Sequence, residues 1–125
     1  MALINTTRRE KAGEKEPTRS FSKQQENYVA KKFGGSRVKN SGATAFQKGD
    51  VNLDQGFLIE CKTKTTASDS ISIKKEWLEK NAKEALFMGK KYSALAFNFG
   101  PDQPNYYIID EYLFEELLNK LDKEN

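Results

Sequence analysis

Two short apolar runs, residues 51–53 and 57–61, are separated only by Asp54-Gln55-Gly56, and so small a gap forces the chain to turn back on itself. Gly56 suits the left-handed position of a three-residue turn. A hairpin centred on Gln55 sets Leu53 opposite Phe57, Asn52 opposite Leu58, Val51 opposite Ile59, and Asp50 opposite Glu60. Side chains alternate along a strand, so Val51, Leu53, Phe57, Ile59 and Cys61 form one apolar face. Asp50, Glu60 and Lys62 share the other, which reads as a charged site. Two directly opposed carboxylates repel each other unless something positive lies between them. Mg²⁺ meets that need, because it prefers oxygen ligands and is commonly held by one or two carboxylates with waters and phosphate oxygens. A slip of one residue would remove the facing pair, so the site depends on the register.

The remaining elements follow from periodicity and punctuation. Residues 22–33 lack Gly and Pro and carry Gln25, Tyr28, Val29, Lys32 and Phe33 at helical spacing before Gly34-Gly35, which predicts a first helix. A short strand is expected at 37–39, then a polar loop over 40–49. A second helix beginning near Lys74 or Lys75 is expected to bury Trp77, Leu78, Ala82, Ala85 and Leu86 and to end at Gly89. Strands are expected at 92–99 and 106–110, with Tyr106 and Tyr107, like Trp77, in the core. A last helix is expected to turn Leu113, Phe114, Leu117, Leu118 and Leu121 inward. This order implies a single α/β domain, a mixed sheet flanked by helices, over residues 21–125. Residues 1–20, with few large apolar side chains and alternating charge, read as a flexible arm.

Composition narrows the chemistry. The chain has 125 residues, a formal charge of +3, one cysteine and no histidine. A charge so small does not by itself identify a nucleic-acid partner. The absence of histidine excludes His-dependent triads, imidazole metal ligands and imidazole acid–base catalysis, so any hydrolysis must use carboxylates, lysines, metal and water. The lone Cys61 excludes an intrachain disulfide and is expected to be a buried core thiol. No apolar stretch is long enough for a signal peptide or membrane span, so a soluble cytoplasmic protein is expected.

With these residues in view, Gly49-Asp50 followed by Phe57-Leu58-Ile59-Glu60-Cys61-Lys62-Thr63 resembles the PD-(D/E)XK nuclease superfamily. Ser41-Gly42 ahead of the Asp resembles the archaeal-type Holliday junction resolvases and similar phage-borne nucleases. The resemblance implies a restriction-endonuclease-like core and a Mg²⁺- or Mn²⁺-dependent endonuclease acting on branched DNA as a homodimer, in the host cytoplasm if phage-encoded. It implies catalytic roles for Asp50, Glu60 and Lys62, with the backbone carbonyl of Cys61 as a further metal ligand. It carries a helical Glu onto Glu26, with Gln24 or Gln25 as alternatives, and a loop serine onto Ser41. Lys39, Lys48 and Lys64 around the site, and Arg8 and Arg9 in the arm, are the expected DNA contacts. The alternatives are a restriction- or repair-type nuclease on linear duplex, a nucleic-acid-binding module that has lost hydrolysis, and an interaction protein docking through Trp77 or Tyr106-Tyr107.

Overall fold

Gly56 adopts φ +95°, and the two strands it joins pair in the expected register, Val51 with Ile59 and Asn52 with Leu58. They belong to a five-stranded sheet in a computed structural model that describes residues 15–38 and 50–124. In chain order the elements are α1 (Lys15–Phe33), β1 (Ser36–Arg37), β2 (Val51–Asn52), β3 (Phe57–Lys62), α2 (Lys75–Phe87), β4 (Tyr92–Phe97), β5 (Tyr106–Ile108) and α3 (Glu111–Glu124). The strands lie side by side in sequence order. β3 and β4 run parallel, joined by a crossover through α2, and the other neighbours are antiparallel. The expected α/β class, one small domain with a mixed sheet and helices, is what the chain forms.

The apolar face of the hairpin behaves as its alternation predicts. Val51, Leu53, Ile59 and Cys61 are buried with Ala94 and Ala96 of β4, under Val29 and Ala30 of α1. The opposite face, under α2, buries Leu58 and Leu95 completely. It is therefore a second apolar layer at one end, and the expected charged residues lie where β3 finishes. Among the described residues no helix is long and apolar enough to cross a membrane.

Helix α1 starts at Lys15 rather than Ser22, so the expected boundary of the arm at residue 20 falls inside a helix. Pro17 is compatible with this because it lies in the first turn, where backbone N–H groups have no intrahelical acceptor. The last two strands are each two residues shorter than expected. Asp110 is not strand but the cap of α3: its Oδ1 accepts the N–H of Leu113 at 2.8 Å.

Two helices present faces other than those expected. In α2 the buried residues are Asn81, Glu84 and Ala85, while Leu86 is 78% exposed, Ala82 is exposed and Trp77 is half-buried. The inward position of Asn81 has a clear cause: its Nδ2 donates to the carbonyls of Leu58 (3.2 Å) and Ala94 (3.0 Å), pinning α2 to β3 and β4. In α3 only Leu113 is buried. Phe114, Leu117, Leu118 and Leu121 are 42–56% exposed, so the helix does not close the domain as expected. Tyr106 and Tyr107, expected in the core, are 50% and 38% exposed.

Candidate active site

Strand β3 sets Glu60 and Lys62 two residues apart on its α2-facing side, with Lys62 Nζ 3.7 Å from Glu60 Oε2. Asp50 reaches them by a route different from the one expected. It does not sit in the ladder opposite Glu60. Its N–H donates to the carbonyl of Ile59 at 3.1 Å, although Ile59 is already the partner of Val51. Two successive residues thus face one, the arrangement of a β-bulge, which bends the strand and re-aims a side chain. On its other side the Asp50 carbonyl accepts the N–H of Val38 at 2.9 Å, so β1 helps to hold the bend.

The bend turns the Asp50 carboxylate onto β3. Its Oδ2 accepts the backbone N–H of Cys61 at 2.7 Å, in place of a strand carbonyl. The carboxyl groups of Asp50 and Glu60 hydrogen-bond to each other. The two acids and the lysine foreseen from the hairpin pattern therefore meet at the end of β3, with the bulge rather than direct cross-strand pairing bringing Asp50 in.

Electrostatics follow from this crowding. Burial, followed by the neighbouring Asp50 charge, raises the Glu60 pKa to about 7, against the opposing pull of Lys62. Burial also raises Asp50, opposed first by the Cys61 N–H and then by its hydrogen bond to Glu60. Their shared hydrogen bond raises Glu60 and lowers Asp50, so of the two acids Glu60 is the more reluctant to ionise. Cys61 is 7% exposed, and burial above all pushes its thiol far above the ordinary range, as expected for an inert core thiol.

Helix α1 contributes two side chains with different tasks. Gln25 is 5% exposed, and its Nε2 lies within 3.2 Å of the carbonyls of Lys62 and Ala96 and of Asn105 Oδ1. It fastens the C-terminal ends of β3 and β4 and is occupied structurally. Glu26, the next residue round the helix, faces the site: burial and then the Asp50 charge raise its pKa. Its Oε1 is tied to Arg37 Nε at 3.0 Å. Among the described residues, no three acidic or thiol side chains converge on one point, so the inner set is the pair Asp50 and Glu60 with Glu26 held aside by Arg37.

The expected DNA contacts divide unevenly. Lys64 Nζ donates to Ser68 Oγ at 3.1 Å, just beyond β3. Ser41, Lys39, Lys48, Arg8 and Arg9 lie outside the described residues. Three residues that sequence reasoning did not assign to the site now border it. Arg37 restrains Glu26. Asn98 accepts from Thr63 Oγ1 at 2.7 Å, tying the segment after β3 to the end of β4. Trp77 lies against Lys62. Only Arg37 carried any local signal, as a cation on a strand following the helix that bears Glu26.

No protein-family model, curated protein or solved structure matches the chain. What the site can do rests on its donor set. Asp50 and Glu60 offer hard oxygen donors, and burial together with their mutual repulsion disfavours ionising both, a penalty that a divalent cation would relieve. Without imidazole or an accessible thiol, the set suits Mg²⁺ or Mn²⁺ rather than zinc or copper.

Proposed function

We propose that the protein is a Mg²⁺- or Mn²⁺-dependent DNA endonuclease, structure-selective in the manner of a Holliday junction resolvase. The observation that carries this reading is the gathering of Asp50, Glu60 and Lys62 at the end of one strand, within a sheet-and-helix frame of the expected class. Asp50, Glu60 and the Cys61 carbonyl would hold the ion, with Glu26 facing the same site. When bound, the ion supplies a Lewis acid for the scissile phosphate and lowers the pKa of a bound water.

The residues of the chain do the rest. Cys61 N–H and the bulge fix the direction of the Asp50 carboxylate, so the donor pair is preorganised. Lys62 directs a positive charge at the place where phosphate would sit, orienting the attacking water or stabilising the growing negative charge. Arg37 restrains Glu26. Lys64, beyond β3, extends the cationic surface available to the backbone of DNA.

The test compares a four-way junction, a linear duplex and single strands, each with Mg²⁺, Mn²⁺ or chelator. Cleavage of the junction is expected with either metal and is expected to vanish with chelator. Lys62→Ala is expected to lose about a hundredfold in rate, the magnitude usual for one electrostatic contributor. Junction binding without cutting under any metal would convert the reading to a binding module. Equal cutting of linear duplex would make it a restriction- or repair-type nuclease.

Symmetric cleavage of a junction needs two active sites, and hence a dimer. Helix α3 offers a surface for it. Phe114, Leu117, Leu118 and Leu121 lie at the spacing of one helical stripe, half exposed. Together they leave an apolar stripe of a few hundred Å² in solvent, the size at which an exposed patch marks a partner. Replacing Leu117 and Leu121 by Glu is expected to convert a dimer to a monomer in sedimentation equilibrium at unchanged helix content. A wild-type chain that sediments as a monomer at all concentrations would remove this part of the reading.

A further inference from the structure

Trp77 has no part in the nuclease reading so far. It is the only tryptophan of the chain, half-buried in the first turn of α2. Its ring carries the ammonium of Lys62 at 4.4 Å from the centroid and that of Lys74 at 5.9 Å. We propose that Trp77 is the positioning residue for Lys62, its ring face holding the ammonium beside Glu60 and Asp50 while leaving the positive charge uncancelled. The contact stands on geometry alone; its consequence for cleavage rests on the nuclease reading.

A four-carbon stem ending in a strongly hydrated ammonium carries roughly 2 kcal/mol of rotamer entropy, so a lysine with 31% of its side chain exposed does not stay in one place without a restraint. Glu60 is a poor restraint by itself. Its Oε2 is 3.7 Å away, beyond hydrogen-bond length, and the same carboxylate is the one proposed to hold a cation. A second carboxylate would hold Lys62 better but would cancel the charge that phosphate is to meet. An indole face attracts a cation through its quadrupole and leaves its net charge intact.

The ring is itself well placed to act as a fixed platform. The backbone N–H of Trp77 donates to the Lys74 carbonyl at 3.0 Å, securing the first turn of α2. One turn later Asn81 bonds the helix to the carbonyls of Leu58 and Ala94. The helix turn that carries the indole is thus held relative to β3, the strand that bears Lys62. Lys74, more distant and at the helix start, shares the ring without reaching the carboxylates in any described contact.

Metal-dependent junction cleavage by Trp77→Leu, Trp77→Phe, Lys62→Met and the pair Trp77→Leu with Lys62→Met tests this, with thermal melts as a check on folding. Trp77→Leu is expected to lower kcat about 10- to 30-fold with KM within about twofold, the size of a partly desolvated cation–π contact. Trp77→Phe, which keeps an aromatic face, is expected to stay within about threefold of wild type. In the Lys62→Met background, Trp77→Leu should bring no further loss in kcat. Equal losses from Leu and Phe, full activity in the Leu variant, or multiplicative losses in the pair would each overturn the proposal. Emission of the single tryptophan in the metal-free protein separates this from failure of the nuclease reading. If the wild type cuts nothing, a shift in emission on Lys62→Met still upholds the contact, and an unchanged spectrum refutes it.

Discussion

Glu60→Gln is expected to abolish metal-dependent cleavage and yet to stabilise the metal-free protein at pH 8. The carboxyl of Glu60 has an ordinary pKa near 4.5, raised to about 7 in the fold by burial and then by Asp50. The folded chain therefore holds this proton more tightly than the unfolded chain does. Below pH 4.5 the group is protonated in both states and costs nothing. As pH rises from 4.5 to 7 the unfolded form ionises first, and stability falls; above 7 the penalty is complete. A shift of this size corresponds to at most about 3 kcal/mol. Gln avoids the penalty, and its amide N–H can donate to Asp50 as the protonated acid does. Melting curves at pH 4 and pH 8 decide the matter: the Gln variant should gain roughly 1–3 kcal/mol at pH 8 and little at pH 4. Mg²⁺ should raise the melting point of the wild type at pH 8 and leave that of the variant nearly unchanged. A variant no more stable than wild type at pH 8 would mean that Glu60 is not held against its own charge.

The second large effect separates two tasks of Asp50. Both Asp50→Asn and Asp50→Ala remove a carboxylate from the proposed metal site and are expected to lower cleavage about a thousandfold. Their stabilities should diverge. The Asn side-chain oxygen can still accept the Cys61 N–H that Asp50 Oδ2 holds at 2.7 Å. Ala leaves that donor in a part-buried site without its acceptor, at a cost of about 1–3 kcal/mol. Urea denaturation of both variants without metal measures the difference. Equal stabilities would show that the bulge and β1, rather than the side-chain hydrogen bond, hold this corner of the sheet.

The hairpin was readable because everything that sets its register is local: a turn glycine, a gap of fixed length and strict alternation. The same locality explains where reading failed. The bend at Asp50 requires β1 on the outer side of β2, through the contact from Val38 to the Asp50 carbonyl, and no pattern within 50–62 contains it. The inner face of α2 could not be ranked by hydropathy, because Asn81 is buried to serve the carbonyls of Leu58 and Ala94 in distant strands. In α3 the periodicity correctly marked an apolar stripe. Periodicity is indifferent to whether the same chain covers that stripe, and here most of it remains exposed. Between Gln25 and Glu26, the choice depended on the rotation of α1 about its axis, which only packing against the sheet determines. The contact between Lys62 and Trp77 likewise joins a strand to a helix whose relative phase no local pattern records.

That rotation gives Gln25 a significance for how the gene can change. One amide spans two strand ends and a turn, reaching Lys62, Ala96 and Asn105 at once. Each helical residue advances the direction of its side chain by about 100°. A codon inserted or deleted between Gln25 and Gly35 would therefore swing the amide off all three acceptors and displace Glu26 in the same stroke. Length variation among descendants of this chain should accumulate in its connecting segments, while the second half of α1 keeps its count.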